Sequence, residues 1–283
     1  MTSRGGARVP SVFAADRPLV FAHRGGARLA PENTLPAFAR GLAAGADGLE
    51  CDVHLSRDGV PVVIHDPTLE RTTDAAGPVG ARTAAELARV DAGCRFRGPD
   101  GSPWGGARAA VPALAEVLHT FPAARVIVEM KGQSAALGQA VAGVVRAAGA
   151  GDRVCLGAFS HVTLAAARAA APELATSASL DEARGTLYRS WIRWPLARPR
   201  PYAAFQVPEA FGRLRVVRPA FVRQAHREGQ LVQVWVVDRE ADVRRLLDWG
   251  VDGIISDRPD LAVAARDAWR GQVISDLRSQ ISD

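Results

Sequence analysis

Short apolar segments recur along this 283-residue chain, each followed by a stretch with helical spacing, and that alternation leaves very few folds open. Strands separated by helices point to a parallel sheet, because a parallel neighbour needs a crossover connection and a helix is the usual one. Strand patterns fall at Leu19 to His23, Gly48 to His54, Val60 to His65, Arg125 to Met130 and Val154 to Phe159. Others lie near Leu174 and at Ala203 to Val207, Leu231 to Val237 and Gly253 to Ser256. These nine are one more than an eight-stranded α/β barrel uses, so one is an extra strand or a loop. A helix is expected from about Asn33. Asn33 and Thr34 supply capping chemistry, and Leu35, Phe38, Ala39 and Leu42 mark one apolar face. With 48% hydrophobic residues the chain can bury one large core, so residues 1–283 are expected to form a single domain.

Two stretches break the alternation. Residues 67–112 are rich in Gly, Pro, Thr and Arg around one short helical pattern, Ala84 to Val90. They are too long for an ordinary loop and are expected as an insertion over the C-terminal ends of the strands. In Tyr188-Arg-Ser-Trp-Ile-Arg-Trp-Pro195, aromatics interleave with arginines. That pattern suits a lid, an interfacial anchor, or a surface helix that packs its tryptophans on the barrel.

No apolar run reaches the roughly 18 residues of a membrane span, and Met1 to Pro18 holds no apolar run of signal-peptide length. Cys51, Cys94 and Cys155 are odd in number and scattered, which fits a reduced cytoplasmic protein and no zinc motif. The net charge of +5 suits an anionic substrate, a membrane surface or nucleic acid. The arginines are scattered and no nucleic-acid motif accompanies them, so no nucleic-acid partner is expected.

Three strings carry the chemistry: Phe21-Ala-His-Arg-Gly-Gly, Gly48-Leu-Glu-Cys-Asp-Val and Val62-Val-Ile-His-Asp66. Each closes a strand pattern and leaves ionisable side chains at its C-terminal end, where barrel enzymes place their sites. Alternation puts Glu50, Asp52 and His54 on one face of their strand and Cys51 and Val53 on the other. A buried Glu50–Asp52 pair needs a cation, and Glu129 adds a third carboxylate. An all-oxygen set suits Mg²⁺ or Ca²⁺ better than zinc. His23 and His65 could take and deliver protons, and Arg24 and Lys131 could meet a phosphodiester anion. Lysine and arginine together number 35, and Lys131 is the one lysine among them. Its isolation points to a place where a compact ammonium is needed and a planar guanidinium does not fit. His54 is read as structural, and His119, His161 and His226 as surface or helix residues.

In order along the chain stand His23-Arg-Gly25, Pro31-Glu-Asn-Thr34, Glu50-Cys-Asp52-Val53, Asp58-Gly59, His65-Asp66, Arg71-Thr-Thr73, Glu129-Met-Lys131 and Gly250-Val-Asp-Gly-Ile-Ile-Ser-Asp257-Arg-Pro259. Each string alone is weak. The ordered set, from about Val20 to Asp260, closely resembles the glycerophosphodiester phosphodiesterase family. The resemblance implies a TIM (β/α)8 barrel with a small insertion after the third strand. It implies divalent-metal-dependent cleavage of glycerophosphodiesters, small-molecule substrates, to sn-glycerol 3-phosphate and an alcohol. It implies that Glu50, Asp52 and Glu129 hold Mg²⁺ or Ca²⁺, that His23 and His65 act as acid and base, and that Arg24 and Lys131 bind phosphate. Glu32 is expected to orient Arg24 from behind, and Phe159 and Trp235 to line the substrate pocket. Two features depart from the family pattern: Val236-Val237-Asp238 after Trp235, where Thr-Val-Asn is usual, and Ser256, where threonine is common. Both are expected around the substrate pocket, where they bear on which alcohol is released. Two alternatives are a lysophospholipase D-like enzyme with weak membrane-surface contact and a non-catalytic phosphate-binding protein on the same barrel.

Overall fold

The first strand pattern becomes β1 (Leu19–Ala22), and its neighbours in the sheet show how the chain closes. The computed structural model describes residues 9–192 and 200–281. The strands that follow are β2 (Gly48–Leu55), β3 (Pro61–Val63), β4 (Arg125–Met130), β5 (Val154–Gly157) and β6 (Ala175–Thr176). After them come β7 (Ala204–Pro208), β8 (Ala210–Phe211), β9 (Leu214–Arg215), β10 (Leu231–Trp235) and β11 (Gly253–Ser256). The sheet runs β6-β5-β4-β2-β1-β11-β10-β7, and a parallel bridge from Ser177 to Ala204 joins its two ends. The result is a closed TIM barrel of parallel strands.

The surplus strand is β3. It pairs antiparallel with β2, Val53 opposite Val63 and Leu55 opposite Pro61, and lies outside the barrel. The third strand pattern is therefore not a βα unit, and the turn at Asp58-Gly59 is the reason. Gly59, at φ +77°, sits in a tight turn that folds the chain straight back on β2. Residues 67–112 follow this antiparallel arm rather than a barrel strand. They hold α2 (Ala84–Leu87) and a small core of Leu69, Val79, Leu87 and Val90 packed on Val62 and Ile64 of the arm.

The barrel helices are α1 (Leu35–Ala43), α3 (Leu114–Thr120), α4 (Ala135–Ala147), α5 (His161–Ala170), α6 (Leu180–Ile192), α7 (Pro219–Arg227), α8 (Glu240–Asp248) and α9 (Pro259–Ile281). Helix α1 begins at Leu35, two residues later than expected. Thr34 caps it by accepting from the Ala37 amide, while Asn33 sits at φ +59° and turns its amide elsewhere. Outward residues of β2, β4 and β5, including Cys51, Val53, Val128 and Leu156, pack under α1, α3, α4 and α5 in one apolar layer. Inward residues Phe21, Ile127, Cys155 and Ile255 fill the barrel, and Phe13 from the N-terminal segment joins them, edge-on to Phe21 at 6.2 Å. Gly48 leaves the room for the Phe21 ring, because a Cβ there would stand 2.6 Å from it. Cys51 and Cys155 are buried, Cys94 is exposed, and all three are free thiols. Of the Tyr188–Pro195 segment, the part from residue 193 lies outside the described residues.

Helices α4 and α5 meet closely at Gly138, where a Cβ would stand 2.3 Å from the Thr163 carbonyl oxygen, whereas Gly143 has open space. Gly138→Ala is therefore expected to destabilise the fold by about 1–3 kcal/mol through overpacking. Gly143→Ala on the same helix is expected to be neutral or to stabilise by up to about 1 kcal/mol. Urea unfolding of the two variants checks the contrast.

Candidate active site

Strand register builds the site. Asp52 on β2 lies beside Glu129 on β4, which lies beside Gly157 on β5. Adjacent inward carboxylates are thus forced together by the sheet. Gly157 makes the space they need: a Cβ there would stand 2.5 Å from Glu129 Oε2. Glu50, two residues before Asp52, points inward on the same strand, and the three carboxyls line one pocket of about 250 Å³. His23, Arg24, His65 and Lys131 line it too, as do Phe159 and Trp235, whose rings meet edge to face at 6.0 Å.

Asp52 is fully buried and multiply held. Lys131 Nζ approaches its Oδ1 at 2.8 Å, and Arg24 Nε its Oδ2 at 3.1 Å. Asn33 brackets it: the Asn33 side-chain amide donates to Oδ2 at 2.9 Å, and the Asp52 amide donates to Asn33 Oδ1 at 3.1 Å. Burial alone would raise its pKa, but Lys131 and Arg24 outweigh that and hold it below the usual carboxylate range. The other two carboxyls go the opposite way. Burial and then the charge of Asp52 raise Glu50. Burial raises Glu129 to about 8, against the pull of Lys131.

Arg24 reaches the site because its backbone is left-handed, at φ 50°, a conformation that few residues other than glycine adopt. That turn aims its amide at Glu50 Oε2, 3.0 Å away, and its guanidinium at Asp52 and Glu32. Glu32 accepts from Arg24 at 2.8 Å and from both terminal nitrogens of Arg71 at 2.9 and 2.7 Å. Arg71, from the segment after β3, also bonds Asp66 through Nε and Nη2.

Each histidine is oriented by its own carboxylate. His23 Nδ1 meets Asp257 Oδ1 at 2.6 Å, and His65 Nδ1 meets Asp66 Oδ1 at 2.6 Å. Both rings therefore carry their other nitrogen, Nε2, away from the orienting carboxylate, and that of His23 lies 3.8 Å from Glu50 Oε2. The two diverge in basicity. Burial opposes charge on His23, but Glu50 and Asp257 outweigh it and raise the pKa. Burial lowers that of His65, against the charge of Asp52 and the bond to Asp66. His65 does not end a barrel strand as its sequence pattern suggests; it lies two residues beyond β3. His54 helps to fix it there, its Nε2 2.9 Å from the His65 carbonyl oxygen. His119 and His161 sit on α3 and α5, and His226 on α7 pairs with Asp252 at 2.8 Å.

The sequence pattern assigns Asn33 only to helix capping and gives Asp66, Arg71 and Asp257 no role, although all four stand within the strings that carry the family pattern. An acidic residue beside a site histidine was the available signal for Asp66. Nothing in the spacing pairs Asp257 with His23 across 234 positions. Ser256 is not a pocket residue: it is buried, and its hydroxyl donates to Asp238 Oδ1 at 3.0 Å. Asp238 also accepts from the Asp257 amide at 2.8 Å, so both departures from the family pattern help to seat the carboxylate behind His23.

The donor set fits a hard divalent cation. Three carboxyl groups share the pocket, and Glu129 Oε1 is buried without a hydrogen-bond donor. Among the described residues no three such side chains are drawn together as a ready-made cage, and Asp52 is engaged by Lys131 and Arg24.

Comparison with known proteins bears on this arrangement. The model of the "Glycerophosphoryl diester phosphodiesterase family" matches residues 23–261. A glycerophosphodiester phosphodiesterase of Caldanaerobacter subterraneus is 32% identical over 253 residues, 87% of this chain and 97% of that protein. The crystal structure of a glycerophosphodiester phosphodiesterase from Agrobacterium tumefaciens superposes with a TM-score of 0.70 at 32% identity, covering 87% of this chain and 99% of the other. A phosphodiesterase from Oleispira antarctica, solved in complex with the product sn-glycerol-3-phosphate, gives a TM-score of 0.70 at 26% identity over 89% of this chain and 97% of its own.

The raised carboxyl at Glu129 sets a pH dependence. Glu129 ionises near 4.5 in an unfolded chain and near 8 in the folded one. Between those values the unfolded chain releases a proton that the folded chain keeps, so folding grows less favourable as pH rises. Metal-free protein is expected to lose thermal stability from about pH 5 to about pH 8. Glu129→Gln is expected to flatten that slope, as thermal melts in chelator at several pH values will show.

Proposed function

Because the chain belongs to the glycerophosphoryl diester phosphodiesterase family, we propose that it hydrolyses glycerophosphodiesters to sn-glycerol 3-phosphate and an alcohol. One observation carries the reading: two histidines of opposite tendency, each backed by a carboxylate, share a pocket with two cations and three carboxyls. Arg24 and Lys131 bind the phosphate oxygens and favour the extra charge that develops as the phosphorus is attacked. His65, biased toward the neutral form, takes a proton at Nε2 from the water whose oxygen attacks phosphorus. His23, biased toward the charged form, delivers a proton from Nε2 to the departing alcohol oxygen. Asp66 and Asp257 keep the reactive nitrogens turned into the pocket by binding the opposite side of each ring. Phe159 and Trp235 supply an apolar wall for the carbon skeleton. Glu50, Asp52 and Glu129 would hold a divalent cation, Mg²⁺ or Ca²⁺, whose charge would stabilise the phosphoryl oxygens.

His23→Ala and His65→Ala are each expected to lower turnover of glycerophosphocholine by about 10²-fold, and the double variant by less than the product of the two. Chelation is expected to abolish turnover, and Mg²⁺ or Ca²⁺ to restore it. Full activity in chelator, or an Asp52→Asn protein with undiminished metal affinity, would overturn the metal assignment.

Lys131→Arg is expected to fold normally yet lose about 10-fold or more in kcat/KM, because a planar guanidinium cannot take the place of a compact ammonium beside Asp52. Wild-type kinetics in that variant would make the lone lysine an accident of composition.

A further inference from the structure

Exposed apolar side chains gather on the face where the pocket opens. Six of the eight large ones among the described residues follow the C-terminal ends of β5, β6, β7 or β10. Phe159, Leu180 and Val236 form part of the pocket lining and remain 49%, 37% and 39% exposed. Val162, in the first turn of α5, is exposed as well. The other two stand on the ribbon of β8 and β9, which begins just past the pocket residue Pro208 and pairs with no other strand. Phe211 and Leu214 are directly opposite in its register, so their side chains share one face, and they are 69% and 38% exposed. The ribbon has a firm base. The amides of Val216 and Val217 donate to the Glu209 carbonyl oxygen at 2.9 and 3.1 Å, and the Glu209 carboxylate grips Arg245 at 2.9 and 2.8 Å.

The unpaired charge on the ribbon segment has one sign. Arg213 and Arg215 on the ribbon and Arg218 just beyond it are exposed, and among the described residues none is paired with a carboxylate. Glu209, the one acid between Pro208 and Arg218, is already engaged by Arg245. A second copy of this chain would bring the same arginines to the interface and be repelled. An anionic phospholipid layer offers what the surface lacks: an apolar boundary for Phe211 and Leu214, and phosphates for the guanidiniums. We infer that this face docks on an anionic phospholipid surface, ribbon first, so that the pocket opens at the lipid–water boundary. Docking goes beyond the hydrolytic reading and requires only this surface, not the pocket chemistry.

Co-sedimentation of the full chain with vesicles of phosphatidylcholine, with and without phosphatidylglycerol, tests it. Binding is expected to favour the anionic vesicles by about 10-fold or more and to weaken as salt is raised. Arg213→Ser/Arg215→Ser is expected to weaken that binding by about 30-fold, the effect of two surface arginines. Phe211→Ser/Leu214→Ser is expected to weaken it by about 10-fold or more. Both variants should keep wild-type circular dichroism and wild-type turnover of soluble glycerophosphocholine. Failure of the wild-type chain to bind anionic vesicles, or undiminished binding by either double variant, overturns docking. A wild-type dimer that Phe211→Ser/Leu214→Ser dissolves in light scattering assigns the face to a second copy and overturns it too. Vesicle binding without turnover of any glycerophosphodiester would leave docking standing and remove the hydrolytic reading instead.

Discussion

The site depends on one buried charge. Asp52 has no access to water, and an ionised carboxylate in that position is tolerated only when cations and donors replace the lost hydration. Lys131, Arg24 and Asn33 do so, and each comes from a different element: the end of β4, the turn after β1, and the residue before the cap of α1. Satisfying Asp52 therefore fixes three separate parts of the chain relative to β2. The same cations would face a bound phosphate. Asp52 holds them in place, and burial, against the weaker pull of Lys131, pushes the neighbouring Glu50 and Glu129 toward their neutral forms.

The two histidines reach the pocket by unlike routes. His23 follows a barrel strand directly and is braced from the far end of the chain by Asp257, which Asp238 and Ser256 support in turn. His65 rides on the antiparallel arm outside the barrel, held by Asp66 at its ring and His54 at its carbonyl. Arg71 joins that arm to the barrel by gripping Asp66 and Glu32 together, and Glu32 in turn grips Arg24. A continuous line of ion pairs and hydrogen bonds thus runs from His65 to the Arg24 guanidinium. Residues 67–112 contribute Arg71 to this line, which ties the insertion to the barrel.

The parallel arrangement was legible because apolar strands and helical stretches alternate, and alternation within β2 placed Glu50 and Asp52 on one face and Cys51 and Val53 on the other. That the surplus strand is the third, and not another, has a local cause. Val60 to His65 is as apolar as any barrel strand, so composition cannot separate it from one; the turn at Asp58-Gly59 reverses the chain. Asn33 misled in a similar way. It has capping chemistry, but a buried aspartate drew its side chain away and left the cap to Thr34. The isolation of Lys131 was visible from composition alone, whereas its partner was not.

By itself the sequence determined the fold class and the residue types at the strand ends, because the periods of strands and helices and the chemistry of ionisable groups are local properties. Tertiary structure alone decided which strand lies outside the barrel, which carboxylate orients which histidine, and which of three carboxyls keeps its charge. Those outcomes depend on distances between residues far apart in the chain, such as His23 and Asp257 or Asp52 and Lys131. They also depend on burial, which multiplies the energy of each charge–charge contact and exists only once the barrel has closed.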